Sequence, residues 1–291
     1  MTYILDTVGN TPLVELRKLS PNPAVKIMAK LEGNNPGGSV KDRSALNMIR
    51  SALERGDINK KSKLIEATSG NTGIAMALMA NLFDLEIELA MPSNSTRERV
   101  LTMEAFGARV TLLDSIEICR DYVEEKAVKG EYYLLNQFAN SDNAMAHYKT
   151  TGPEIWRDTK GAITHFVSAM GTTGTVMGVS RYLKEQRESI QVIGCQPTDE
   201  SSIPGIRKWP AEYLPKIFDA SRLDRVMEVT QEEAVAATRQ LAKEEGIFCG
   251  MSSGGAATAA LRLSREIDSG VIVFVACDRG DRYLSSNLFG K

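Results

Sequence analysis

The sequence predicts an α/β protein of two lobes, each a mostly parallel sheet flanked by helices. Two observations carry that prediction. Short apolar runs rich in Val, Ile and Leu alternate repeatedly with longer stretches of helical period, the pattern of parallel strands covered on both faces. The chain of 291 residues is also long enough for one large or two moderate cores.

In the first half, strands are expected near KLIEAT (63–68), LEIELAMP (85–92) and RVTLLD (109–114), each followed by a helix. In the second half they fall near ITHFVSAM (163–170), IQVIGCQP (190–197) and VIVFVACD (271–278). No repeat, low-complexity tract or long linker separates the halves, and the Asn-rich turn NQFANSDN (136–143) is the best crossing point.

Composition excludes several function classes. With 43% hydrophobic and 25% charged residues, and 35 basic against 37 acidic side chains, the balance gives no support to nucleic-acid or membrane binding. The N-terminus MTYILDTVGNTPL has no basic segment followed by an apolar one, and no stretch approaches the about 18 apolar residues of a membrane span. The expected location is cytoplasmic. Cys119, Cys195, Cys249 and Cys277 form no Cys-x-x-Cys pair, and only His147 and His165 are available beside them, so no metal site is expected. The cysteines read as small buried hydrophobes, with Cys277 left open.

In such sheets ligands lie beyond the carboxyl ends of the strands, so polar loops at those ends are the candidates. In EATSGNTGIAMALMA (66–80), a strand runs through Thr68-Ser69-Gly70-Asn71-Thr72-Gly73 into an apolar helix. Its N–H groups, hydroxyls and amide suit a carboxylate or phosphate, the structural alternative being a helix cap made by Ser69 or Asn71. In SAMGTTGTVMGVSRYLKEQ (168–186), Gly171-Thr172-Thr173-Gly174-Thr175 opens another helix and suits a phosphate monoester. It lacks the Gly-Lys-Ser/Thr ending of a P-loop. The next strand ends in Gln196 and Pro197, where a nicotinamide dinucleotide site would carry Asp or Glu.

A third loop, FCGMSSGGAATAALRL (248–263), offers adjacent hydroxyls at Ser252 and Ser253, the alternative being that the Ser before Gly-Gly-Ala is a plain N-cap. The fourth is GGSVKDRSA (37–45), where Lys41 opens a helix against the positive end of its dipole. A lysine desolvated there has its charged form disfavoured and becomes a nucleophile; the alternative is a solvated surface lysine. A phosphate cup, a carboxylate loop, a hydroxyl partner for a ring and an activated lysine together suit pyridoxal phosphate and an amino-acid substrate.

These residues resemble those of the fold-type II pyridoxal-phosphate enzymes, whose fold is tryptophan synthase β-like, and more narrowly the cysteine synthase (O-acetylserine sulfhydrylase) family. The matching stretches are GNTPLVEL (9–16), KLEGNNPGGSVKDR (30–43), EATSGNTGIA (66–75), HYKTTGPEIW (147–156), GTTGT (171–175) and GMSSGGA (250–256). Within the family, SSIPGIRKWP (201–210) and CDRGDRYLS (277–285) resemble the B form more than the A form.

The resemblance implies that Lys41 anchors the cofactor covalently and serves as base and acid, and that Asn71 meets the cofactor's ring hydroxyl. Gly171, Thr172, Thr173, Gly174 and Thr175 would form the phosphate cup, and Ser252 would face the pyridine nitrogen. Thr68, Ser69, Thr72 and Gln137 would hold the substrate carboxylate. It further implies a smaller lobe at 35–145 carrying the carboxylate loop, a larger lobe of 1–34 and 146–291 carrying the phosphate loop, and a homodimer. The implied reaction makes L-cysteine from O-acetylserine and sulfide, and S-sulfocysteine when thiosulfate is the donor. Apart from the resemblance, Arg207 and Lys208 lie in a loop with Pro204 and Gly205 from which basic side chains can reach a charged co-substrate, the alternative being a solvated loop, and Cys277 and Asp278 at a strand's carboxyl end are expected to shape the same entrance. Rival readings are an O-phosphoserine sulfhydrylase, a dehydratase or cystathionine synthase-like lyase, and a catalytically silent binding scaffold.

Overall fold

The structure, a computed structural model, describes residues 3–290. In chain order the strands are β1 (Leu13–Glu15), β2 (Val25–Leu31), β3 (Lys63–Ala67), β4 (Glu86–Pro92), β5 (Arg109–Leu113), β6 (Tyr133–Leu134), β7 (His165–Ala169), β8 (Gln191–Pro197), β9 (Arg225–Val229) and β10 (Gly270–Ala276). The helices are α1 (Lys41–Arg55), α2 (Asn71–Leu82), α3 (Arg97–Ala105), α4 (Ile116–Val128), α5 (Ser141–Lys149), α6 (Thr151–Asp158), α7 (Gly174–Gln186), α8 (Gln231–Glu245) and α9 (Met251–Glu266).

They build two sheets, one of order β1-β2-β10-β7-β8-β9 and one of order β5-β4-β3-β6. Every pairing is parallel except that of β1 with β2. Parallel sheets need cover on both faces, and β10 shows it: Ile272, Val273, Phe274 and Val275 are all buried. Helix α2 is buried from Thr72 through Ala80, so it is apolar all round and has no solvent face to read as amphipathic.

The six expected strands form within two residues of their expected ends. Four others, β1, β2, β6 and β9, were not expected. Strand β2 reads VKIMAKL, and its two lysines interrupt the apolar run; Lys26 is exposed, but Lys30 is fully buried. Strand β9, at the sheet edge, buries only Met227 and Val229.

The fold gathers four helix starts at one place. The segment before α1 is tied to the end of β10, with the Val40 N–H donating to the Cys277 carbonyl at 2.8 Å and Ser39 bridging to Asp278. Helix α1 packs against α2 and α5, and α5 against α7. The Cys277 N–H donates to the Ser253 hydroxyl in the first turn of α9 at 2.9 Å.

Candidate active site

Lys41 is the first residue of α1, and it keeps part of its surface open. Burial pushes its amine below the usual lysine range, against the pull of Cys277 and Asp278 beside it. Conversely, burial pushes the Cys277 thiol up to about 12, with Lys41 opposing, so the thiol stays protonated. Asp42 follows Lys41 into the interior, where burial raises its carboxyl to about 7 although the Gly37 N–H donates to one oxygen.

The loop between β7 and α7 is a cup of donors. Thr173 adopts a left-handed backbone, φ 68°, and turns the chain into the helix start. Thr172, Thr173 and Thr175 are buried, and the Thr173 hydroxyl has no protein partner. A side chain at position 174 would run into Asn143, its Cβ only 2.2 Å from Oδ1, so glycine is required there. From α5, the Asn143 amide donates to the Thr172 hydroxyl at 3.1 Å, and His147 Nε2 lies 3.2 Å from the Thr175 hydroxyl. Burial holds His147 at about 3, hence neutral. Ser44, one turn along α1 from Lys41, donates to Asn143 Oδ1 at 2.7 Å and ties the cup to the lysine's own helix.

Asn143 and Gln137 link the cup to the loop between β3 and α2. The Thr68 hydroxyl oxygen accepts from the Gly70 and Gly73 N–H groups at 3.1 and 3.0 Å. The N-cap position of this helix is Gly70, so neither Ser69 nor Asn71 caps it, and the Thr68 hydroxyl instead satisfies an N–H of its first turn. The Thr72 hydroxyl donates to Gln137 Oε1 at 2.8 Å, and Gln137 donates onward to the Ala67 carbonyl at 3.2 Å. Ser69 is exposed, with its carbonyl held by Arg99. Ser252 is buried in the first turn of α9, whose N-cap position is Gly250, so it is not the cap residue.

The expectation for Lys208 is corrected. Its ammonium is paired with Asp199 at 2.7 Å and Glu228 at 2.8 Å, so it is spent within the protein. Arg207 differs: burial lowers it, and among the described residues it forms no ion pair. Trp209 closes the same segment onto the cup by donating its indole N–H to the Gly171 carbonyl at 2.7 Å.

Sequence reasoning missed a buried charge network beneath Lys41. Arg43 reaches Glu32 and Glu154, each at 2.7 Å, and Lys30 reaches Glu154 at 2.8 Å. Thr11 donates to Glu32 at 2.6 Å. These residues lie in the GNTPL, KLEGNNPGG, KDR and GPEIW stretches, so those motifs hold charge-paired structure as well as chemistry.

A family model described as "Pyridoxal-phosphate dependent enzyme" matches residues 4–278. The chain belongs to this family. Among relatives, cysteine synthase B of Pseudomonas aeruginosa is 57% identical over 289 residues, covering 98% of this chain and 97% of the relative. Cysteine synthase B of Escherichia coli K12 is 53% identical over 294 residues, covering 100% and 97%. A solved cysteine synthase from Entamoeba histolytica superposes with a TM-score of 0.94 at 36% identity, covering 100% of this chain and 91% of that one.

The donor chemistry fits the cofactor of a pyridoxal-phosphate dependent enzyme. A phosphate ester calls for N–H groups at a helix start and a free hydroxyl, which the cup and the unpartnered Thr173 Oγ1 supply. An aldehyde calls for an amine that is easily deprotonated, and Lys41 answers that.

Proposed function

We propose that this chain makes L-cysteine from O-acetyl-L-serine and sulfide by β-replacement, releasing acetate, and that it also takes thiosulfate to give S-sulfocysteine. The observation that carries this reading is Lys41, an amine depressed by burial at the start of a helix that hydrogen bonds through Asn143 and Gln137 tie to both polar loops. When bound, pyridoxal phosphate supplies the electron sink that stabilises charge left at the substrate's α-carbon. Lys41 holds the cofactor, and its amine removes the α-proton and later returns it. The cup from Gly171 to Thr175 holds the phosphate, Asn71 meets the ring hydroxyl, and Ser252 meets the ring nitrogen.

The carboxylate loop has matching donors. Because the Thr68 oxygen accepts two N–H groups, its hydroxyl hydrogen is left to donate, and Gln137 keeps a second amide hydrogen. Ser69 and the start of α2 at Thr72 add to the same anion site. A hydroxyl at Ser252 need not keep the ring nitrogen protonated, which favours elimination over amino transfer.

Arg207, lacking an ion pair, is the residue assigned to the charged donor. The same reading takes residues 35–145 as the smaller lobe, 1–34 with 146–291 as the larger, and a homodimer, the commonest soluble assembly, acting in the cytoplasm.

The experiment is to follow the cofactor's visible absorption as O-acetylserine and then sulfide or thiosulfate are added. A band that shifts with the first and returns with the second, with cysteine or S-sulfocysteine formed, is expected. A band that responds to O-phosphoserine and ignores O-acetylserine overturns the first substrate. Arg207→Ala is expected to impair thiosulfate turnover at least about tenfold more than sulfide turnover, the worth of one charge-assisted contact; equal losses remove Arg207 from the donor site.

A further inference from the structure

Asn71 is held at both ends of its amide by the segment that follows β10. Its Nδ2 donates to Asp278 Oδ2 at 2.7 Å, and its Oδ1 accepts from Arg282 Nη1. A carboxylate of this kind accepts and a guanidinium only donates, so the amide has one permitted orientation. Asp278 is fixed in turn: the Tyr283 hydroxyl donates to Oδ2 at 2.6 Å and the Gly250 N–H to Oδ1 at 3.1 Å. Burial raises Tyr283 well above its usual value, so the phenol stays a donor.

Arg282 is fixed as well. Its second nitrogen donates to the Gly37 carbonyl, four residues before Lys41. Gly38, at φ +80°, leaves room for the guanidinium; a Cβ there would stand 2.6 Å from Nη2. The outer side of this arginine lines a cavity of about 430 Å³ shared with Arg99 and Gly38.

We infer that Asp278 and Arg282 form a clamp that orients Asn71 so that it presents an N–H, never its carbonyl, to the cofactor's ring oxygen. The inference rests on the assignment of Asn71 to that oxygen. With Oδ1 consumed by Arg282 and one Nδ2 hydrogen given to Asp278, the second Nδ2 hydrogen is the group left over. A donor favours the ionised form of an oxygen it meets, so the clamp biases the ring hydroxyl toward its anion before substrate arrives. Asp278 and Arg282 are positioning residues: they act through Asn71.

The test compares wild type, Asn71→Ala, Arg282→Met and Arg282→Lys without substrate. Visible absorption of the bound cofactor is measured against pH, and apoprotein is titrated with pyridoxal phosphate. Arg282→Met fills the space without donating. It is expected to follow Asn71→Ala, losing visible absorption to the near ultraviolet at a higher pH midpoint, and to bind cofactor about tenfold more weakly, as loss of one charge-assisted hydrogen bond predicts. Arg282→Lys restores most of the wild-type midpoint.

If Asn71→Ala changes the band and Arg282→Met does not, the clamp is overturned while the assignment of Asn71 stands. If Asn71→Ala also leaves it unchanged, the assignment falls and takes the clamp with it. Should Arg282→Met fail to fold, Arg282→Lys and Arg282→Gln carry the comparison. Both keep a donor and are expected to keep the wild-type midpoint; a midpoint raised to that of Asn71→Ala in both folded variants overturns the clamp.

Discussion

Lys41 and Arg43 lie two residues apart in the first turn of α1, yet they are opposite solutions to a cation inside a protein. Arg43 is 2% exposed and meets two carboxylates, each at 2.7 Å, with Lys30 and Thr11 completing their coordination. Its charge is held up by Glu32 and Glu154 against the burial that opposes it. Lys41 forms no ion pair among the described residues, and burial drives it the other way. Burial alone therefore does not mark a functional group; a buried group left without its partner does. One turn of helix anchors itself through Arg43 and presents an activated amine through Lys41.

The sharpest way to break this contrast is Lys41→Ala. Turnover is expected to fall by at least about 10⁴-fold, since covalent anchor and base are lost together. Apoprotein stability should behave differently. Because the folded pKa of Lys41 is lowered, its contribution is present above the ordinary lysine value of 10.5 and is lost as pH falls. Apo Lys41→Ala should thus match wild type in strong base and gain on it toward neutrality, read by urea unfolding. A variant that is inactive because it is unfolded would show Lys41 to be as structural as Arg43.

Arg43→Met is the complementary variant. It strands Glu32 in the interior, while Glu154 keeps Lys30, and removing one partner of a buried pair costs about 3–5 kcal/mol. Adding Glu32→Gln should recover part of the loss, because the stranded carboxylate is then neutral. Equal stability of Arg43→Met and wild type, measured on apoprotein, would dismiss the network as an anchor.

The contrast also explains which features were legible in the sequence. The polar loops at 68–72 and 171–175 could be read because their chemistry is local, several donors in a row after an apolar strand. The six expected strands were legible for the same reason, each a short run dominated by Val, Ile, Leu and other apolar residues. Strand β2 was not, because Lys30 looks solvent-seeking until Glu154 is placed beside it 124 residues along the chain. Lys208 failed in reverse: a loop lysine looks free until Asp199 and Glu228 meet it. His147, Asn143 and Arg282 touch the site through contacts that no local pattern encodes. The spacing of Asn143, His147 and Thr151, four residues apart each time, was the one available signal of a shared face on α5 and its continuation.

Glu66 offers an intermediate case. It is 2% exposed at the end of β3, and it accepts from the Asn136 N–H at 2.9 Å, anchoring the turn that carries Gln137. Burial raises it to about 8, outweighing the backbone donors and the more distant Arg120. A carboxyl with a raised folded pKa contributes stability that is complete below its ordinary value of 4.5 and is lost as pH climbs through about 8. Glu66→Gln keeps an acceptor for the turn and removes the charge. It should match wild type near pH 4 and exceed it at pH 9 by on the order of 2 kcal/mol in urea unfolding of the apoprotein. Asp42, also raised by burial, is present in both proteins and cancels in the difference. Parallel stability curves would show that the backbone donors alone satisfy Glu66, which would place it with Arg43 among the compensated charges and leave Lys41 the stronger exception.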